Sequence, residues 1–212
     1  LKTLYDNILY KDVMVRNQFV NEREIKELVY YTVSNIGKLL TYTSLAKVIG
    51  VKNPTTVKNY LEYIENTYLL FSLSKLDYSV KAQLRNPKKV YAIDNALVSR
   101  LGFHFSGEEG RLLENMVYIE LRRRGGEIFY HNSGNAECDF VVRDGFRVVQ
   151  AIQACYLLGS SDTREREIRG IQDAMDTYQL LEGTIITNTH EEELKYGDKM
   201  IHILPAWKWL RL

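Results

Sequence analysis

The stretch NAECDFVVRDGFRVVQAIQACY, residues 135–156, limits the fold of this chain more than any other. Two runs rich in β-branched and aromatic residues flank Asp144-Gly145, a dipeptide suited to a tight turn, so the stretch reads as a β-hairpin. Side chains alternate along a strand, which predicts Glu137, Asp139 and Val141 on one face and Cys138, Phe140 and Val142 on the other. On the second strand Val149, Ala151, Gln153 and Cys155 share a face. With Asp139 and Gln153 on one face, Cys138 and Cys155 are expected to point to opposite sides of the sheet and to remain unbridged.

Elements of both periods surround the hairpin. EEGRLLENMVYIELRRRG reads as a helix ended by Gly125, its arginines close to the negative end of the dipole. IFYHN precedes the hairpin as a strand, and DTREREIRGIQDAMDTYQLL follows it as an amphipathic helix through Ile168, Ile171, Met175 and Tyr178. GTIITN and KMIHIL are buried-type strands, and Pro205 opens a last short helix. Alternation of this kind predicts an α/β layer fold over residues 107–212.

The first 85 residues are helical by pattern. A helix is expected over Leu1–Arg16, and a second over Glu22–Ser34 with Asn21 as N-cap and Glu24 as its capping-box partner. SLAKVIG is a short helix stopped by Gly50. Pro54 then opens a helix that buries Val57, Tyr60, Leu61 and Ile64. These are the parts of a helix-turn-helix, and LLFSLSKLDYSV is expected to add two short strands as a wing. Residues 86–106, with KKVYAIDNALVSRLGF, read as a connector formed by a strand and a short helix.

Composition narrows the function classes. A net charge of +1 announces no global basic field, so any nucleic-acid binding must come from a local patch. No apolar run is long enough to span a membrane, and the two cysteines supply no disulfide framework, which suits a reducing cytoplasm. The chain opens on Leu1 within a helical pattern and reads as part of something longer. His104, His131, His190 and His202 lack metal-ligand spacing, and SNIGKLL lacks the flanking residues of a phosphate loop.

The chemistry concentrates at the hairpin. Asp139 stands among apolar neighbours, where an unpaired carboxylate is costly. On the preceding helix Glu114 borders the buried stripe of Leu113, Val117 and Leu121. Converging carboxylates are the minimum for holding Mg²⁺, and phosphodiester cleavage adds a cation to offset developing charge.

GRLLENMVYIELRRRG, AECDFVV, VVQAIQACY, EIRGIQDAM and ILPAWKWL together resemble the C-terminal domain of unknown function that follows the ATPase module in many prokaryotic AAA-type ATPases. That domain is similar to PD-(D/E)XK nucleases. TYTSLAKVIGVKNPTTVKNYLEYIENTYLL and LYDNILYKDVMVR resemble the same family, so the likeness covers nearly the whole chain. It implies a winged-helix part followed by a nuclease-like mixed sheet flanked by helices, with ATP bound by a module preceding this region. By position, Glu114 matches the helix acid and Asp139 the metal-binding aspartate, with Glu137 as a further Mg²⁺ candidate. Gln153 falls where the second carboxylate belongs, and Cys155 where the lysine belongs. A glutamine brings no charge, and a thiol brings no positive field. Losing one such contributor costs roughly 3–4 kcal/mol of transition-state stabilisation. The resemblance therefore implies a lapsed nuclease site, with Mg²⁺ a cofactor only if cleavage survives.

For target recognition the expected contacts are Thr55, Thr56, Lys58 and Asn59 on the exposed face of the second helix. Arg122, Arg123 and Arg124 are expected to lead a basic patch over residues 81–124, where nine cations oppose five acids. The partners this reading implies are DNA or RNA and the chain's own ATPase module, with no membrane. The alternatives are a Mg²⁺-dependent nuclease and a protein-interaction module that regulates the ATPase.

Overall fold

A computed structural model describes residues 2–15, 21–103 and 108–212. Among them the chain is α/β and forms two compact units, residues 1–73 with 85–106 and residues 74–84 with 107–212. Residues 74–84, read from sequence with the winged part, thus pack with the second unit, and most of the expected connector packs with the first.

In the first unit α1 (Lys2–Asn7) continues as a π-helix over Ile8–Val15, which buries Leu9 and Val13. The expected ends at Leu1 and Arg16 lie outside the described residues. In α2 (Glu22–Val33) Ile25, Leu28, Val29, Thr32 and Val33 form the buried face. Asn21 occupies the N-cap position without capping: its amide donates to Glu24 Oε1 at 2.5 Å, so the expected capping box does not form. A capping box does start α3 (Tyr42–Val48), where the Thr41 and Ser44 side chains bond each other's backbone N–H groups.

Gly50, at φ +73°, turns the chain toward α4 (Pro54–Glu65). Asn53 caps α4 by accepting the Thr55 N–H at 2.9 Å, and Val57, Tyr60, Leu61 and Ile64 are buried as their spacing predicts. Tyr60 also donates to Glu24 Oε2 at 2.7 Å, which ties α4 to α2.

The expected wing takes another form. Only Leu70–Ser74 is a strand (β1). Val80–Arg85 is a helix (α5), and β1 pairs instead with Lys88–Ala92 (β2). LLFSLSKLDYSV could not be a self-contained hairpin because the partner of β1 comes from beyond α5. Asp94 then caps α6 (Asn95–Leu101) through the Ala96 N–H.

The second unit is built on a six-stranded mixed sheet in the order β3-β4-β5-β6-β8-β7. Its strands are β3 (Glu127–Asn132), β4 (Glu137–Asp144), β5 (Arg147–Ala154), β6 (Glu182–Thr187), β7 (Glu192–Tyr196) and β8 (Lys199–Pro205). β3, β4 and β5 are antiparallel, β5, β6 and β8 run parallel, and β7 closes the edge antiparallel to β8. The helices are α7 (Glu109–Arg124), α8 (Ser161–Tyr178) and the short α9 (Ala206–Trp209).

α7 sets Tyr118 against Phe140, ring centroids 6.1 Å apart. Ile171, Ala174 and Met175 of α8 cover the other face, in one core cluster with Val141, Ala151, Ile185, Ile201 and Ile203. Gly170 is what lets α8 lie so close: a Cβ there would stand 2.2 Å from the Glu137 carbonyl oxygen. No helix among the described residues is long and apolar enough to cross a membrane.

Candidate functional site

The hairpin turns through Gly145 at φ +58°, and Phe140, Val141 and Val142 pair with Ile152, Ala151 and Gln150. Regular alternation fails next to Asp139. Phe129 pairs with Val141 but His131 pairs with Cys138, so β4 carries one extra residue opposite Tyr130. This bulge corrects the expected facing of Cys138, which joins Cys155 in the cluster beneath α8. The two cysteines are not bridged to each other: Cys138 Sγ lies 3.4 Å from the Ile152 carbonyl and Cys155 Sγ 3.4 Å from the Leu157 carbonyl. The expected absence of a bridge stands, but not for the reason of opposite faces.

At Asp139 side chains replace the ladder. The Asp139 N–H donates to Gln153 Oε1 at 2.9 Å, and the Ala154 N–H donates to Asp139 Oδ2 at 3.0 Å. Because Oε1 accepts from the backbone, the Gln153 amide has one orientation, and its Nε2 donates to Glu167 Oε2. The other oxygen of Glu167 receives Arg166, from Nε at 3.1 Å and Nη2 at 2.6 Å. The result is a connected polar chain of Asp139, Gln153, Glu167 and Arg166, its first three members buried.

Cys155 lies beside this chain, 6% exposed. Burial foremost, then the Glu167 carboxylate, push its thiol up to about 11, with Asp139 adding to the rise and Arg166 opposing it. A buried neutral thiol therefore stands where the sequence resemblance expects a lysine.

Glu167 and Arg166 escaped the sequence reading. The signal for Glu167 was present, since it falls on the stripe of Gly170, Ile171 and Ala174 at helical spacing. An acid at that phase must find buried partners.

The expected acids sit on two elements, Glu114 on α7 and Glu137 and Asp139 on β4. Glu114 is half-buried on α7, and the Glu137 carboxylate accepts from Asn132 Nδ2 at 3.1 Å. Among the described residues no three His, Cys, Asp or Glu side chains form a group able to hold a metal ion. His131 is engaged otherwise, its ring nitrogens 3.0 Å from the Tyr178 hydroxyl and 2.6 Å from Asp173 Oδ2. His104 lies outside the described residues.

Of the expected nucleic-acid contacts, Thr55, Lys58 and Asn59 are exposed on α4 and Thr56 is half-buried. The arginine triplet is a different matter. Arg123 forks onto Glu120 through Nε and Nη2, both at 2.7 Å, and Arg124 Nε adds a bond at 2.8 Å. These two cations, Arg123 first, hold the Glu120 carboxyl down to about 2. Arg124 also donates to the Trp209 carbonyl and stacks on the Trp209 ring at 4.2 Å, which pins α9 to α7. Arg122 Nη1 lies 3.5 Å from the Tyr118 hydroxyl. Lys88 and Lys89 are buried in β2. Of the nine cations expected to form a basic patch over residues 81–124, Lys88 and Lys89 are buried and Arg123 and Arg124 are paired with Glu120, while Lys81, Arg85 and Arg100 are exposed.

Comparison with known proteins divides the chain where the pattern changes. Residues 1–108 match a domain of unknown function, DUF8612, and residues 109–209 match another, DUF4143. The chain is 33% identical to the uncharacterized protein MJ1544 of Methanocaldococcus jannaschii over 99% of its own length and 49% of that protein's. It is 26% identical to an uncharacterized protein of Haemophilus influenzae over 68% of its own length and 37% of the relative's. The chain thus spans about half or less of the curated relatives it matches. No solved structure matches it.

Proposed function

We infer that this chain, which belongs to the DUF8612 family and carries a DUF4143 match behind it, is a target-recognition region of an AAA-type ATPase with a non-cleaving nuclease-like unit. DUF4143 domains stand C-terminal to AAA ATPases in prokaryotes, which supports the attachment. The recognition elements are α4, with Thr55, Lys58 and Asn59 outward, and the hairpin that carries Asp139. ATP belongs to the preceding module, and the favoured partner is nucleic acid.

One observation carries the non-cleaving part: the Gln153 amide spans from the Asp139 N–H to Glu167 while Cys155 beside it is a buried neutral thiol. A catalytic metal would need that space supplied with negative ligands, and the departing charge would need a cation at position 155. Retention of a labelled DNA at graded salt, run beside a cleavage assay with Mg²⁺ or Mn²⁺, tests both halves. Binding that weakens with salt and no cleavage is the expected pair of results. Salt-insensitive absence of binding would favour a second reading, a protein-interaction module regulating the ATPase. That reading has its own support in the arginines committed to Glu120.

A further inference from the structure

Resting on the nucleic-acid reading above, we propose that the nuclease-like unit grips a nucleic-acid strand by its backbone phosphates through Arg166 and Arg169 of α8, not through the arginines that end α7. Arg166 is placed by its neighbour. Glu167 is 6% exposed and held from behind by Gln153, so it fixes the guanidinium at the outer end of the polar chain that starts at Asp139. The Arg166 side chain is nonetheless 67% exposed. Of the five donors of a guanidinium, its contacts with Glu167 engage Nε and Nη2 and leave the Nη1 edge open. A planar donor fork held by a buried carboxylate is suited to phosphate oxygens, because little side-chain freedom remains to be lost on binding.

Arg169 adds the second contact. At 100° per residue it lies on the same flank of α8 as Arg166, next to Gly170, and it is exposed. Among the described residues it has no ion pair. Asp173, on the same flank, is turned to His131, and Asp162 accepts from the Ser161 hydroxyl. Arg166 is linked to Asp139 through Glu167 and Gln153, so a strand held here lies beside the hairpin site. The neutral Cys155 and Gln153 then bring no further negative charge against its phosphates.

The test is binding of a short labelled DNA, duplex and single-stranded, to the full chain across about 50 to 200 mM salt. Arg169→Ala, which breaks no internal bond, should weaken binding several-fold and lower the salt slope by roughly one, the effect of one lost phosphate contact. Arg166→Gln should add a similar loss, with its fold checked by thermal melting. Should it fail to fold, Arg169→Ala decides alone. Arg123→Ala should bind as the unmodified chain does. Binding unchanged in Arg169→Ala but weakened in Arg123→Ala overturns the proposal and leaves the nucleic-acid reading standing. No binding by the unmodified chain overturns both. Inorganic phosphate that displaces DNA far better than chloride at equal ionic strength would show a site for a free phosphate group, and also overturns it.

Discussion

Asp139 and Gln153 are joined across the hairpin by side chain to backbone: Gln153 Oε1 accepts the Asp139 N–H at 2.9 Å, where a strand ladder would use a carbonyl. The amide is then committed at both ends, since its Nε2 faces Glu167. Gln153→Glu removes the donor and sets one buried carboxylate against another. The variant should lose about 3 kcal/mol at neutral pH. The loss should shrink as pH falls, because protonating one of the two acids relieves the repulsion and the folded state then holds the extra proton. Denaturant melts at pH 8 and pH 5 measure this, and equal losses at both would contradict the arrangement. Mn²⁺ should stabilise this variant more than the unmodified chain.

Cys155 should behave as a buried thiol. Burial, above all, pushes its ionisation up to about 11. The sign follows from linkage: a raised folded value means stability fully present below the unfolded value, near 8.5, and lost as pH rises toward about 11. Alkylation of the native chain at pH 8 should be slower than that of the denatured chain by on the order of a hundredfold. Rapid native labelling of Cys155 would mean that it is exposed or ionised.

Much of this was legible beforehand and some could not be. α4 and α8 follow from apolar spacing alone, since Val57, Tyr60, Leu61 and Ile64 or Ile171 and Met175 leave one face to bury. β7 was missed because EELKY carries no apolar run: an edge strand protected by charge looks like a loop. The facing of Cys138 was lost to one extra residue in β4, since a bulge flips every side chain on its far side. The pairing of Arg123 and Arg124 was not legible either. A cation near a helix C-terminus and a cation forked onto Glu120 read alike in sequence, and only the neighbouring turns decide.

Glu120 should contribute to acid stability. Its folded carboxyl is held down to about 2 by Arg123 and Arg124, so its contribution is present above the unfolded value, near 4.3, and is lost as pH falls toward about 2. Glu120→Gln should lower stability at pH 7 and flatten the acid limb of the stability profile. A profile with the slope of the unmodified chain would show that the fork contributes nothing in solution. The change should also loosen α9, visible as faster amide exchange around Trp209.

Gly170→Ala places a methyl group 2.2 Å from the Glu137 carbonyl oxygen, which belongs to backbone and cannot swing aside. α8 must then lift from the start of β4. A loss of roughly 2 kcal/mol or more is expected in denaturant melts. A neutral substitution would mean that α8 does not sit this close to the hairpin.

The most direct test of the account is cleavage of plasmid and single-stranded DNA by the unmodified chain with Mg²⁺ or Mn²⁺. With Gln153 spanning Asp139 and Glu167, and a neutral Cys155 beside them, the account predicts no cleavage above the protein-free control. Robust metal-dependent cleavage that disappears in Asp139→Ala would contradict it and make this unit a working nuclease.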